Sequence, residues 1–134
     1  MDKVKVQSEY PDLDKYKYED EDGNADIFYC KKNTRILHNP YDPAIIWKNG
    51  SKFYFINAKS HRLDGPAKIY TDGQGTYYIN NKEIGNTKQE FYNNIKYLHT
   101  ETVNIQDKLN VLNIKNCLLN SLDNDAVNIL KLLL

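Results

Sequence analysis

The residues of this chain best suited to chemistry are its three histidines, His38, His61 and His99. Asp42 follows His38 and Asp64 follows His61 at short range, and an imidazole near a carboxylate is the pair that general acid and base catalysis needs. The two histidines stand 23 residues apart in equivalent surroundings, however. A side chain repeated in step with a structural unit is expected to hydrogen-bond its own connector rather than turn over substrate. No serine or cysteine sits in a nucleophile turn, and Gly73-Gln74-Gly75 lacks the further glycine and the following helix of a phosphate loop. The acidic run Glu19-Asp20-Glu21-Asp22, with Asp26 nearby, lacks the alternating oxygens and closing glutamate of a calcium loop and reads as a solvated hairpin tip. Cys30 and Cys117 have no Cys or His neighbour at ligand spacing and fit a reducing compartment, with Cys117 as a small core hydrophobe. The sequence therefore predicts no catalytic residue, no metal and no cofactor.

Binding is the better-supported chemistry. Aromatic residues recur at matched positions, Trp47 with Tyr70 and Phe55 with Tyr78, and Lys48, Lys52, Lys59, Arg62 and Lys68 are interleaved with them. Rings beside cations are what nucleobases and phosphates need, although sheets also use aromatics for packing. The candidate binding set is Trp47, Lys48, Lys52, Phe55, His61, Arg62, Tyr70 and Tyr78. A formal net charge of zero hides an asymmetry: residues 1–26 carry nine acids against four bases, whereas residues 27–82 carry nine bases against three acids. The basic stretch can meet phosphates or an acidic partner, or its lysines can guard exposed strand edges.

Those residues are organised by a repeat. The segment from Pro43 to Lys59 aligns with that from Pro66 to Lys82 without a gap, at a constant offset of 23. A third copy around Gly23 and Ile27-Phe28-Tyr29 follows if one residue is inserted after its turn. Each unit reads as strand, tight turn and strand, with turns at Asp22-Gly23, Asn49-Gly50 and Asp72-Gly73, where both residues tolerate positive φ. Pro43 and Pro66 cannot donate to a ladder and mark the breaks between hairpins. Alternation sets Phe53 and Phe55 on one face of a strand with Tyr54 and Ile56 on the other, so both faces are apolar or aromatic.

Period two gives way to period three or four in the last third. Thr87-Lys88-Gln89-Glu90 is a capping box leading a helix over about 88–99 through Phe91, Ile95 and Leu98. A second helix is expected from Ile105 through Leu118, although part of that stretch also alternates as a strand, and a third after Asp123. The expected fold class is thus α+β: an antiparallel β-meander of about three repeated hairpins followed by two or three C-terminal helices. The units fall at about 16–42, 43–65 and 66–86 within a hairpin region 1–86, with a helical region 87–134 packed on the sheet as one domain. With no apolar run of signal-peptide or membrane-span length, the chain is expected to be soluble and cytoplasmic and to have no membrane contact.

The stretch His61-Arg62-Leu63-Asp64-Gly65-Pro66-Ala67, with Tyr78-Ile79-Asn80-Asn81-Lys82 and the 23-residue period, resembles MORN-like β-hairpin repeats of the type found in phage and large DNA virus proteins. The resemblance spans about residues 16–91; Asn39-Pro40-Tyr41-Asp42 departs from it in the first unit, and Asn81 stands where glycine is usual. It implies no enzymatic activity and no fixed ligand, but an interaction module: a viral or phage accessory protein, in the host cytoplasm, that binds a protein partner. A homo-oligomer through the C-terminal helices is a further expectation. The alternative function is a binder that sequesters a phosphorylated, cyclic nucleotide in an aromatic, basic pocket.

Overall fold

Gly23, Gly50 and Gly73 adopt φ of +85°, +94° and +84°, and each closes a hairpin of the same build. Trp47 N–H donates to Ser51 O and Gly50 N–H to Trp47 O; the same two bonds join Tyr70, Gln74 and Gly73, and Asp20, Asn24 and Gly23. These are three-residue loops that end on a glycine in the left-handed region, so only the glycine has positive φ and not its Asn or Asp neighbour. The acidic or amide residue serves otherwise: Asn49 Oδ1 accepts from Ser51 N–H and Asp72 Oδ1 from Gln74 N–H, both at 2.9 Å.

The computed structural model describes residues 3–100 and Asn113. Its strands are β1 (Val4–Val6), β2 (Leu13–Glu19), β3 (Ala25–Lys31), β4 (Ile45–Ile46), β5 (Lys52–Phe53), β6 (Phe55–Ile56), β7 (Lys59–Ser60), β8 (Lys68–Ile69), β9 (Gly75–Ile79) and β10 (Lys82–Gly85), followed by helix α1 (Lys88–Thr100). Eight of them form one antiparallel sheet in the order β1-β2-β3-β4-β5-β8-β9-β10, and β6 pairs with β7 separately.

The long second strand expected from Lys52 to Ile56 does not exist. Tyr54 N–H is drawn to Ala67 O at 2.7 Å, after which the chain leaves the main sheet and Phe55 pairs with Ser60. Phe53 and Phe55 therefore belong to different sheets. The extra strands come from two further turns, Asn57-Ala58 and Asn80-Asn81, in which both residues have positive φ (51° and 64°, 49° and 69°). That is the geometry of a two-residue hairpin loop, supplied here without glycine by three asparagines and Ala58.

The connectors share one hydrogen-bond scheme. Tyr29 N–H donates to Ala44 O and Tyr54 N–H to Ala67 O, both at 2.7 Å, while Ala44 N–H donates to Phe53 O and Ala67 N–H to Thr76 O. Ala44 and Ala67 are completely buried, because neighbouring connectors meet there backbone to backbone. Asn39 and Arg62 each bond the carbonyl of the proline four residues on, at 3.2 Å.

Helix α1 begins as expected. Thr87 Oγ1 accepts from Glu90 N–H at 3.1 Å, and Glu90 Oε2 returns to Asn86 N–H at 2.8 Å rather than to the threonine's own amide. Its apolar stripe of Phe91, Tyr92 and Ile95 is buried, and Phe91 stacks on Tyr77 with centroids 4.7 Å apart.

The architecture corrects the expected α+β fold of three hairpins and two or three helices. The described chain is predominantly antiparallel sheet, with a single helix among the described residues. The expected helices from Ile105 and after Asp123, the oligomer contact assigned to them and Cys117 lie outside the described residues. Among those described, no helix is long and apolar enough to cross a membrane.

Candidate functional site

One face of the main sheet carries a continuous row of rings. Tyr18 of β2 meets Phe28 of β3 edge to face at 5.6 Å, and Phe28 meets Trp47 at 5.6 Å. Trp47 then meets Phe53, and Phe53 meets Tyr70, each at 5.9 Å. Interplanar angles of 76°, 85°, 78° and 82° make every contact T-shaped, the arrangement in which the positive edge of one ring faces the negative face of the next. Register explains the row. Phe28 lies opposite Ile45, Ile45 opposite Phe53 and Phe53 opposite Lys68, so β3, β4, β5 and β8 present these positions on one side, and Trp47 and Tyr70 follow two residues beyond Ile45 and Lys68. The rings are half-buried, except that Tyr70 is 41% exposed. Tyr77, one step out of phase in β9, points the other way, and α1 packs on it there through Phe91.

Lysines lie over the rings. Lys68 Nζ is 4.9 Å from the Tyr78 centroid and 5.3 Å from that of Phe53; Lys3 Nζ is 4.4 Å from Tyr16 and 5.8 Å from Phe28. Both are cation–π distances. Farther along the same face, Asp14, 1% exposed, accepts from Asn33 N–H at 2.8 Å and stands 3.3 Å from Lys5 Nζ and 3.4 Å from Lys32 Nζ. The Asn33 amide above all, helped by the two lysines, holds this carboxyl below the usual aspartate range in spite of its burial.

The structure distributes the candidate residues unevenly. Trp47, Tyr70 and Tyr78 share the ring face. Lys48 is occupied within the fold: its N–H donates to Asp26 Oδ1 at 2.7 Å and its Nζ lies 3.6 Å from Asp20 Oδ2. Lys52 pairs with Ile46 and Ile69 and so faces away from Phe53. Phe55 belongs to β6, outside the row. His61 and Arg62 line a separate cleft of about 630 Å³ with Tyr54, Asp42 and Asp64.

That cleft is built largely from mutual restraint. His61 Nδ1 accepts from Asn80 N–H at 3.1 Å, and His38 Nδ1 from Asn57 N–H at 3.0 Å. Both imidazoles are therefore neutral, with the proton on Nε2, and burial pushes both below the ordinary histidine pKa, with Lys31 adding to the effect on His38. The Arg62 guanidinium lies 4.0 Å over the Tyr54 ring, donates through Nε to Asp64 at 2.9 Å, and bonds Pro66 O. Gly65 leaves it room, since a Cβ there would stand 2.9 Å from the guanidinium carbon. The run from His61 to Ala67 thus reads as a self-contained clasp: the imidazole accepts an amide and the aspartate holds the arginine.

On the side away from the ring row, Tyr10 stacks on Tyr41 at 5.3 Å and meets Tyr29 edge-on at 5.3 Å. Glu9 accepts from Tyr29 at 2.5 Å and from Lys15; burial and this carboxylate raise the Tyr29 phenol well above its ordinary value. Every polar tip in this cluster has a partner, Tyr41 bonding Asp12 and Tyr10 bonding Asp42, so it pins the segment between β1 and β2.

Sequence reasoning missed Tyr16, Tyr18, Phe28, Phe53 and Lys3 as members of the ring face. The available signal was the turn alignment of Gly23 with Gly50, which sets β2–β3 beside β4–β5 and brings Phe28 to Trp47. Comparison of the chain with family models, with curated proteins and with solved structures finds no match.

Proposed function

We propose that this protein is a non-enzymatic interaction module that binds a protein partner through the aromatic face of its main sheet. The observation that carries this reading is the unbroken Tyr18-Phe28-Trp47-Phe53-Tyr70 row. It spans five strands, with four of its rings half-buried and Tyr70 exposed, and helix α1 packs on Tyr77 on the other side. Large, rigid, amphipathic rings are the side chains that dominate interface energetics, and their low rotamer entropy makes docking on them inexpensive. The row is also long, crossing five strands, an extent that suits a polypeptide more than a single nucleotide. Of the cations a phosphorylated nucleotide would need, Lys48 and Arg62 are held by carboxylates of the same chain, and Lys52 lies on the opposite face.

Selection of a random peptide library on the full chain tests this reading. Enriched peptides are expected to lose binding on Trp47→Ala and Tyr70→Ala variants that melt near the parent temperature. Native mass spectrometry with linear and cyclic nucleotides is expected to give no adduct. Peptides indifferent to both substitutions, or nucleotide adducts lost with Trp47, would overturn it.

A further inference from the structure

We infer that the aromatic face takes an extended polypeptide segment with apolar side chains in its middle and carboxylates at its two ends. This inference rests on the protein-binding reading and gives the partner its chemistry.

Both flanks of the face carry lysines. Lys3 and Lys68 engage rings, and neither has a carboxylate partner among the described residues. Beside Lys3, Lys5 and Lys32 share the single carboxylate of Asp14, whose side chain is fully buried, while both lysine side chains are 54% exposed. That arrangement leaves a positive charge unbalanced and accessible at the β1 side of the face. Lys68 supplies the other flank, near Tyr78. Between the flanks the Lys48, Asp20 and Asp26 cluster borders the row at the hairpin tips, where the lysine is already held by a carboxylate. A partner carboxylate is therefore attracted to the Lys3 and Lys68 flanks and repelled from the tip beside Tyr18.

The row crosses from β2 through β3, β4 and β5 to β8, four interstrand steps that together measure about 19 Å at ~4.8 Å each. An extended chain advances about 3.3 Å per residue, so roughly six residues span the row itself. Bases stack face to face on an open ring, whereas here successive rings already meet edge to face at 5.6–5.9 Å, and the interior rings each have two such neighbours. The shallow gaps between perpendicular rings accept aliphatic side chains instead.

Trp47 is the chain's only tryptophan and sits at the centre of the row, so its emission reports occupancy directly. The experiment titrates the full chain with a synthetic peptide of Leu, Val and Ile flanked by Asp and Glu, with the same core flanked by Lys, and with an oligothymidylate. The acid-flanked peptide is expected to shift Trp47 emission saturably, to bind about tenfold more weakly when salt rises from about 0.03 to 0.3 M, and to weaken about fivefold with Lys68→Glu. The lysine-flanked peptide is expected to leave the emission unchanged. Equal binding of the two peptides overturns the charge assignment and leaves the protein-binding reading standing. Binding of the oligonucleotide alone overturns both. An emission unmoved by either peptide, while library-selected peptides of other chemistry still require Trp47, overturns this inference only. If Lys68→Glu fails to fold, the salt series and the lysine-flanked control decide the matter.

Discussion

His61 Nδ1 accepts the backbone N–H of Asn80 across 3.1 Å, tying the connector that precedes β8 to the turn that joins β9 to β10. Protonating Nδ1 would replace that acceptor with a donor and break the bond. Burial lowers the His61 pKa in the folded chain, and His38, bonded to Asn57 N–H in the same way, is lowered too. A histidine depressed in the folded state gives up protons that the unfolded chain binds near pH 6.5. Its contribution is therefore complete above about pH 6.5 and is lost as pH falls through the folded value. Urea unfolding is expected to show stability declining from pH 7 towards 5, by at most about 1.4 kcal/mol per pH unit for each histidine. A His38→Gln, His61→Gln variant is expected to flatten that limb; an unchanged slope would show that these imidazoles do not govern it.

Arg62 and Gly65 are expected to behave as one unit. Alanine at 65 would push the guanidinium off Tyr54, Asp64 and Pro66 O, the same contacts that Arg62→Ala removes. Each single change is expected to cost about 1–2 kcal/mol, and the double variant hardly more than either alone. Additive losses in a denaturation cycle would separate the two.

Ala58 stands at φ 64°, a conformation in which an L side chain with no polar group to compensate is strained. Ala58→Gly is therefore expected to stabilise the chain by about 1 kcal/mol, the relief of left-handed strain exceeding the added chain entropy. Calorimetry reads this as a rise in melting temperature. Asn57 and Asn81, whose side chains tolerate the same region, should gain less from the same replacement.

Phe91 and Trp47 provide contrasting truncations. Phe91, 2% exposed and stacked on Tyr77, is a core ring, and Phe91→Ala is expected to cost about 3–5 kcal/mol. Trp47 is half-buried with two edge contacts, so Trp47→Ala is expected to cost about 1–2 kcal/mol while abolishing partner binding. Denaturation midpoints of the two variants, compared side by side, test the assignment of one ring to the core and the other to the binding face.

What could be read from the chain alone is what depends on near neighbours. Turns at Gly23, Gly50 and Gly73 follow from the conformational freedom of one residue, and helix α1 from a threonine and a glutamate three apart. The equivalence of His38 with His61 is visible as a spacing before either bond is known. Tertiary structure alone decided which side chains share a surface. After the Tyr54 amide bonds Ala67, thirteen residues on, Phe55 pairs with Ser60, and that pairing puts it outside the sheet that holds Phe53. Lys52 and Phe53 are adjacent in sequence, yet pairing with Ile46 and Ile69 turns Lys52 away from the rings. Lys3, far from any aromatic run, arrives over Tyr16 and Phe28 because β1 pairs with β2. Side-chain period in a strand is two, so a face is specified only once register is, and register is set between strands rather than within them.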